Sequence, residues 1–231
     1  ERIVYQSHFA QGWWERVHGT TLAPWKVIHN AVNLAQYTPD GSHKRPIDCQ
    51  RLLLVEGSLG GGYEQGLIFA VQMAEILRID YSLSLELMVV GQVPPRLQAA
   101  AQVQTQVPMV FTGKIPPEQV PELDRSAHLL FAADINAACP NSTIEALACG
   151  LPVVAFDTGA LRELVTGDAG RIMDYGGDPW VLDPPDVTGL ALAAGEVLGD
   201  QPRFRRGARR RAEEAFGLDK MMEGYLECLL G

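Results

Sequence analysis

The chain has 231 residues, 47% of them hydrophobic and 20% charged, with a formal net charge of −9. That balance fits an ordinary globular protein with material for one large core or two small ones. The acidic charge argues against a nucleic-acid backbone as partner, and no apolar run approaches the roughly 18 residues of a membrane-spanning helix.

The chain opens at Glu1 directly into a strand-like RIVYQS. We expect from this a cut or processed chain rather than a natural start, and no signal peptide is recognisable. SHFAQGWWERVHG has the spacing of a helix, KVIHNAV reads as a strand, and TPDGSHKRP as a turn-rich loop. Residues 1–50 are therefore expected to form a hinge or lead-in that adds one further strand to whatever follows.

From residue 51 the pattern alternates. RLLLVEG, LELMVVG, VPMVFTG, HLLFAA, LPVVAFD and a short GRIM read as strands. Between them lie helical patterns in EQGLIFAVQMAEILR, RLQAAAQ, PEQVPELDRSA, STIEALACG and LRELV, with two longer helices at the C-terminus. Continuously apolar strands alternating with helices predict an α/β fold, a doubly wound parallel (Rossmann-like) sheet covered on both faces, over residues 51–231. The first three strands end in Gly57, Gly91 and Gly113, and open α/β sheets bind ligands beyond the carboxyl ends of their strands. The arginine-rich RFRRGARRR, followed by Glu213 and Glu214, reads as a solvated helix face.

Nothing in the pattern suggests metal or nucleophilic chemistry. Cys49, Cys139, Cys149 and Cys228 share no CxxC spacing, and the five histidines are scattered. The thiols read as reduced and intracellular. His128 opens a buried strand and reads as a packed core histidine; His29 also favours a structural use. Two loops have a claim to a ligand. EGSLGGGYEQG, carrying Gly57, Ser58, Gly60, Gly61 and Gly62, offers backbone N–H groups for an anion, or simply a tight strand–helix turn. The segment from Cys139 to Glu145 enters a helix, and Ser142 with Glu145 has the S-x-x-E spacing of a capping box. The same helix start would also suit an anion.

Taken in order, five segments resemble the C-terminal, donor-binding domain of GT-B glycosyltransferases of the family-4 retaining type. KVIHNAVNLAQYTPD is similar to that family's V-I-x-N-G-V-D-x-x-x-F-x-P linker, and LLLVEGSLGGGYEQG stands where it has a strand, G-R-L and K-G. VPMVFTGKIPPEQVPEL resembles its V-x-F-x-G strand and loop. STIEALACGLPVVAFDTGALRELV, the most specific match, resembles L-E-A-M-A-C-G-x-P-V-V-A-x-x-x-G-G-x-x-E-L-V. GARRRAEEAF is similar to the family's final A-R-x-x-x-x-x-x-F.

The resemblance implies one C-terminal half of a two-domain fold, whose donor is a nucleoside-diphosphate sugar and whose acceptor is an unidentified glycan, lipid or small molecule. It implies that Glu145 holds the ribose, that Cys139, Asn141, Ser142 and Thr143 cradle sugar and phosphate, and that Gly113, Lys114 and Ile115 approach the base. It implies neither metal nor cofactor, because helix dipoles and basic groups neutralise the leaving diphosphate. Three positions depart from the family. Ala137 replaces a sugar-contacting glutamate, Ser58 replaces the arginine of G-R-L, and Tyr63 or Gln65 replaces the lysine of K-G. The added glycines are expected to bind diphosphate through backbone N–H groups instead. An N-terminal acceptor domain of the same protein is the expected partner, and the apolar face of KMMEGYLECLLG leaves room for a weak dimer of the fragment. A cytoplasmic location follows, with any membrane contact made through the preceding domain. Two other readings stay open: a non-catalytic glycosyltransferase-like module, and a related enzyme such as a sugar-nucleotide epimerase.

Overall fold

Leu52, Leu53 and Leu54 are all completely buried, which on a strand requires cover on both faces. In the computed structural model, which describes residues 2–230, they lie on a six-stranded, all-parallel sheet. Its strands are β3 (Gln50–Ser58), β4 (Leu85–Gln92), β5 (Met109–Gly113), β6 (Leu129–Ala132), β7 (Val153–Phe156) and β8 (Gly170–Met173). The spatial order β5-β4-β3-β6-β7-β8 reverses between β3 and β6. The crossover helices are α2 (Glu64–Asp80), α3 (Pro95–Gln102), α4 (Val120–Ser126), α5 (Asn141–Ala148) and α6 (Leu161–Leu164). Helices α7 (Val187–Gly199), α8 (Gln201–Ala215) and α9 (Leu218–Leu230) close the chain.

Alternation along each strand divides the interior in two. Leu52, Leu54, Leu87, Val89 and Phe131 face α2 and α7, where Leu67, Met73, Leu77, Leu190 and Val197 complete one core. Leu53, Met88, Leu130 and Val153 face α5, α6 and α8 on the other side. Truncating any of these leucines to alanine costs about 2–5 kcal/mol. The β3–β4 pairing leaves no room for a side chain at Gly91, where a Cβ would lie 1.7 Å from the Glu56 carbonyl oxygen.

The first fifty residues differ from expectation. β1 (Ile3–Tyr5) and β2 (Trp25–Val27) pair with each other in a separate two-stranded parallel sheet and add no strand to the main one. Between them runs α1 (His8–His18), capped by Ser7 and by both oxygens of Glu163, which accept from the His8 and Phe9 N–H groups at 2.8 and 2.7 Å. The C-terminus holds three helices, not two.

The arginine-rich helix is also a correction. Arg205 donates to the carbonyl of Ala127 beyond α4, Arg209 to those of Ala148, Tyr37 and Leu34, and Arg211 to those of Glu163 and Leu164. Helix α8 crosses the carboxyl ends of α4, α5 and α6, where unpaired carbonyls and the negative end of each dipole attract a guanidinium. Arg203 and Arg210 keep the expected exposed role, paired with Asp168 and Glu214.

Candidate functional site

The reversal between β3 and β6 opens a crevice at their carboxyl ends, because the chain leaves β3 in one direction and β6 in the other. Gly57 and Ser58 end β3 and are exposed; Leu59 turns inward and donates to the Gln92 carbonyl at 2.8 Å. Gly60 sits against Pro94. Gly61 and Gly62 have φ of +71° and +111°, values that L side chains rarely adopt. The Gly62 N–H is already donated to the Glu64 carboxylate at 2.9 Å, so this loop holds one of its anion-binding groups internally.

Across the crevice, α5 begins at Asn141 with Pro140 as its cap and no side chain accepting from its first turn. Ser142 is the second helical residue, so the capping box expected from its spacing to Glu145 does not form. The first-turn N–H groups are left for another partner. Asn30 ties the loop down, donating to the Cys139 carbonyl at 3.2 Å and the Asn141 side chain at 2.8 Å. Cys139 and Thr143 are buried, and the Thr143 hydroxyl has no hydrogen-bond partner. Glu145 is half-buried beside the Tyr37 hydroxyl; burial raises its carboxyl, and the hydrogen bond from Tyr37 partly opposes that. Burial and the Glu145 charge in turn push Tyr37 up to about 12. Asp124, fully buried under α5, is raised well above the usual carboxylate range by burial and by Glu145.

On the far edge, Gly113 turns with φ +70°, and Lys114 is exposed. Ile115 lines a shallow cleft with Lys44, Arg51 and Met88. Ala137 is fixed by its carbonyl accepting from the Ala160 N–H at 2.9 Å.

A cavity in the crevice holds only one of the expected residues, Gly62. It measures about 470 Å³ and is walled by Trp13 of α1, Tyr63, Trp180 and the segment 133–136, with Glu56 and Asp134 facing into it. The loop from Cys139 to Glu145 lies outside that cavity. The Trp13 and Trp180 rings meet edge to face with centroids 4.3 Å apart. Burial, then the neighbouring Asp134 charge, pushes Glu56 up to about 8; its protonated carboxyl donates to Asp134, itself raised by burial. Among the described residues, no lysine or arginine lines this cavity.

Glu56 and Asp134 were not singled out from the sequence, although a signal was present. Leu52, Leu54 and Glu56 share one face of β3, and a carboxylate ending a buried stripe breaks the apolar pattern. The histidines behave as read: His128 accepts from the Arg51 N–H at 2.9 Å, and His29 bonds the Gln6 carbonyl. All four cysteines are free. Among the described residues, no helix is long and apolar enough to cross a membrane.

Residues 50–200 match the family described as Glycosyl transferases group 1. The chain is 30% identical over 164 residues to a D-inositol 3-phosphate glycosyltransferase of Nocardia farcinica, a match spanning 67% of this chain and 35% of that one. It is also 30% identical over 156 residues to a GDP-mannose-dependent alpha-(1-6)-phosphatidylinositol dimannoside mannosyltransferase of Mycobacterium tuberculosis, spanning 65% of this chain and 37% of that one. Each match thus spans less than half of the relative's length. Among solved structures, a glycosyltransferase of Rickettsia africae superposes with a TM-score of 0.79 at 15% identity, over 100% of this chain and 64% of that one. The sucrose-phosphate synthase of Thermosynechococcus elongatus gives 0.71 at 18% identity, over 98% and 57%. Both structural likenesses concern the fold, one Rossmann-like half of the GT-B architecture.

Proposed function

The chain belongs to the glycosyl transferases group 1 family, and from that premise we propose that it is the donor-binding half of a retaining hexosyltransferase that takes a nucleoside-diphosphate sugar. The observation that carries this reading is the N-terminus of α5. It lies beyond the carboxyl end of β6, next to the β3–β6 reversal, and no side chain caps it. Uncapped N–H groups at the positive end of a helix dipole are suited to a phosphate.

In this scheme the N–H groups of Asn141, Ser142 and Thr143, with those of Gly60 and Gly61, receive the diphosphate. Glu145, steadied by the Tyr37 hydroxyl, accepts hydrogen bonds from the ribose. Lys114 and Ile115 border the base. The acceptor hydroxyl attacks the anomeric carbon on the face from which the diphosphate leaves, and a leaving phosphate oxygen takes its proton. No metal is needed where fixed dipoles carry the developing charge. The nucleotide-sugar dependence in the name of the Mycobacterium relative supports the donor class. Exposed Met222, Tyr225, Leu226, Leu229 and Leu230 on α9 offer an apolar face to an acceptor-binding half.

Calorimetric titration with UDP, GDP and their hexose conjugates tests the proposal. Saturable binding of one of them, weakened in Glu145→Gln, is expected; binding of none refutes it. A second reading, a module that binds without transferring, is favoured by a crevice cavity without any cationic side chain. Tight nucleotide-sugar binding with no turnover, in a protein that includes an acceptor half, would select it.

A further inference from the structure

We propose that the crevice cavity is a binding site for a hydroxylated ring carrying a protonated amine, held between the Trp13, Tyr63 and Trp180 rings and the Glu56 and Asp134 carboxylates. The inference goes beyond the donor reading: the cavity borders the glycine loop through Gly62 and Tyr63 but includes none of the residues Cys139–Glu145.

The shape comes first. A volume of about 470 Å³ accommodates a small molecule. Trp13, Tyr63, Trp180 and Leu182 line the cavity, and flat aromatic surfaces suit the apolar face of a sugar or cyclitol ring. Trp180 is held in place by Trp13 and by a stacked Phe9, with ring centroids 6.3 Å apart. This wall is therefore built rather than incidental. Trp180 and Tyr63 still leave 49% and 65% of their surface in solvent, open to a ligand.

The charge comes second. Two carboxyl groups, Glu56 and Asp134, line the cavity together, and among the described residues neither forms a salt bridge. Arg16 lies over the Trp13 ring at 5.2 Å but does not line the cavity. Burial and the neighbouring Asp134 charge raise the Glu56 carboxyl. An ammonium group would satisfy both carboxylates with charge-assisted hydrogen bonds and lie against aromatic faces. An anionic ligand would meet charge of its own sign, and a neutral sugar would leave the charge uncompensated.

The test is calorimetric titration of the protein with glucosamine, glucose and N-acetylglucosamine at pH 7, with intrinsic tryptophan fluorescence as a second readout for Trp13 and Trp180. Glucosamine is expected to bind at least about tenfold more tightly than either neutral sugar, the ratio expected from one charge-assisted contact. Glu56→Gln and Asp134→Asn should each weaken it by about tenfold or more. Trp180→Ala should weaken glucosamine binding and reduce the fluorescence change, leaving only the Trp13 signal. A melting curve for each variant shows that it is folded, and titration with the better nucleotide, run in parallel, reports the donor site separately. Equal affinity for glucosamine and glucose, absence of glucosamine binding, or glucosamine affinity unchanged in both folded carboxylate variants would each overturn the proposal.

Discussion

Replacing Glu56 by glutamine should stabilise the protein, and by an amount that grows with pH. In the fold, burial and Asp134 push the Glu56 carboxyl up to about 8, against 4.5 for an ordinary glutamate. Between those values the folded chain binds more protons than the unfolded one, so stability falls as pH rises. Below about 4.5 both states are protonated and the group contributes nothing differential. Above about 8 the full cost of the ionised pair is present. The complete difference corresponds to at most about 5 kcal/mol. Relaxation of a half-buried pair with access to water makes about 2–3 kcal/mol the working figure. Glutamine keeps the shape and a donor toward Asp134 but cannot ionise. Wild type and Glu56→Gln should therefore melt together near pH 4. At pH 8 they should separate by about 5–10 °C, given about 2–4 °C per kcal/mol for a chain of this size. The assay is differential scanning calorimetry across that range. Other groups tilt both curves equally, so only their difference matters. Parallel curves, or a variant less stable at pH 8, would refute the account of a strained carboxyl pair retained against stability.

Four further outcomes follow from the geometry. Glu145→Gln should weaken nucleoside-diphosphate binding by about 1–3 kcal/mol, read by calorimetry, with little change in melting temperature, because no cap is lost. Gly61→Ala should destabilise by about 1–2 kcal/mol, since Gly61 has φ +71° and a Cβ there meets no neighbour within 4 Å; denaturant titration would show it, and reduced nucleotide affinity in the folded variant would tie the loop to the ligand. Glu163→Ala removes both carboxylate acceptors at the start of α1; hydrogen exchange over residues 8–18 should rise and stability drop by about 1–2 kcal/mol. His128, lowered to about 4 by burial and by Arg45, Arg205 and Arg51, should stay neutral well below its ordinary range. Its contribution to stability is complete above about 6.5 and lost as pH falls toward 4, opposite in sign to Glu56, and its ring resonances by NMR give the midpoint directly.

The alternation of apolar strands with helices is a local signal, and it was enough to place the six main strands. RLLLVEG, LELMVVG and HLLFAA are uninterrupted because their residues are buried on both faces, and no remote partner is needed to see that. Ordered motifs likewise carried the family, since they record local loops and helix entrances. What each side chain meets across the fold is a different quantity, fixed by strand order and helix crossing. Arg205, Arg209 and Arg211 look solvated in sequence, yet α8 brings them onto the carbonyl ends of other helices. Ser142 and Glu145 have the spacing of a capping box, yet Pro140 takes the cap position and Tyr37, from the linker, engages Glu145. Trp13, Glu56, Asp134 and Trp180 come from four separate segments that only the β3–β6 reversal and the docking of α1 bring around one cavity. A periodicity reports whether a residue is buried; the identity of its neighbour is decided by closure of the chain over long distances, and the crevice chemistry is of that second kind.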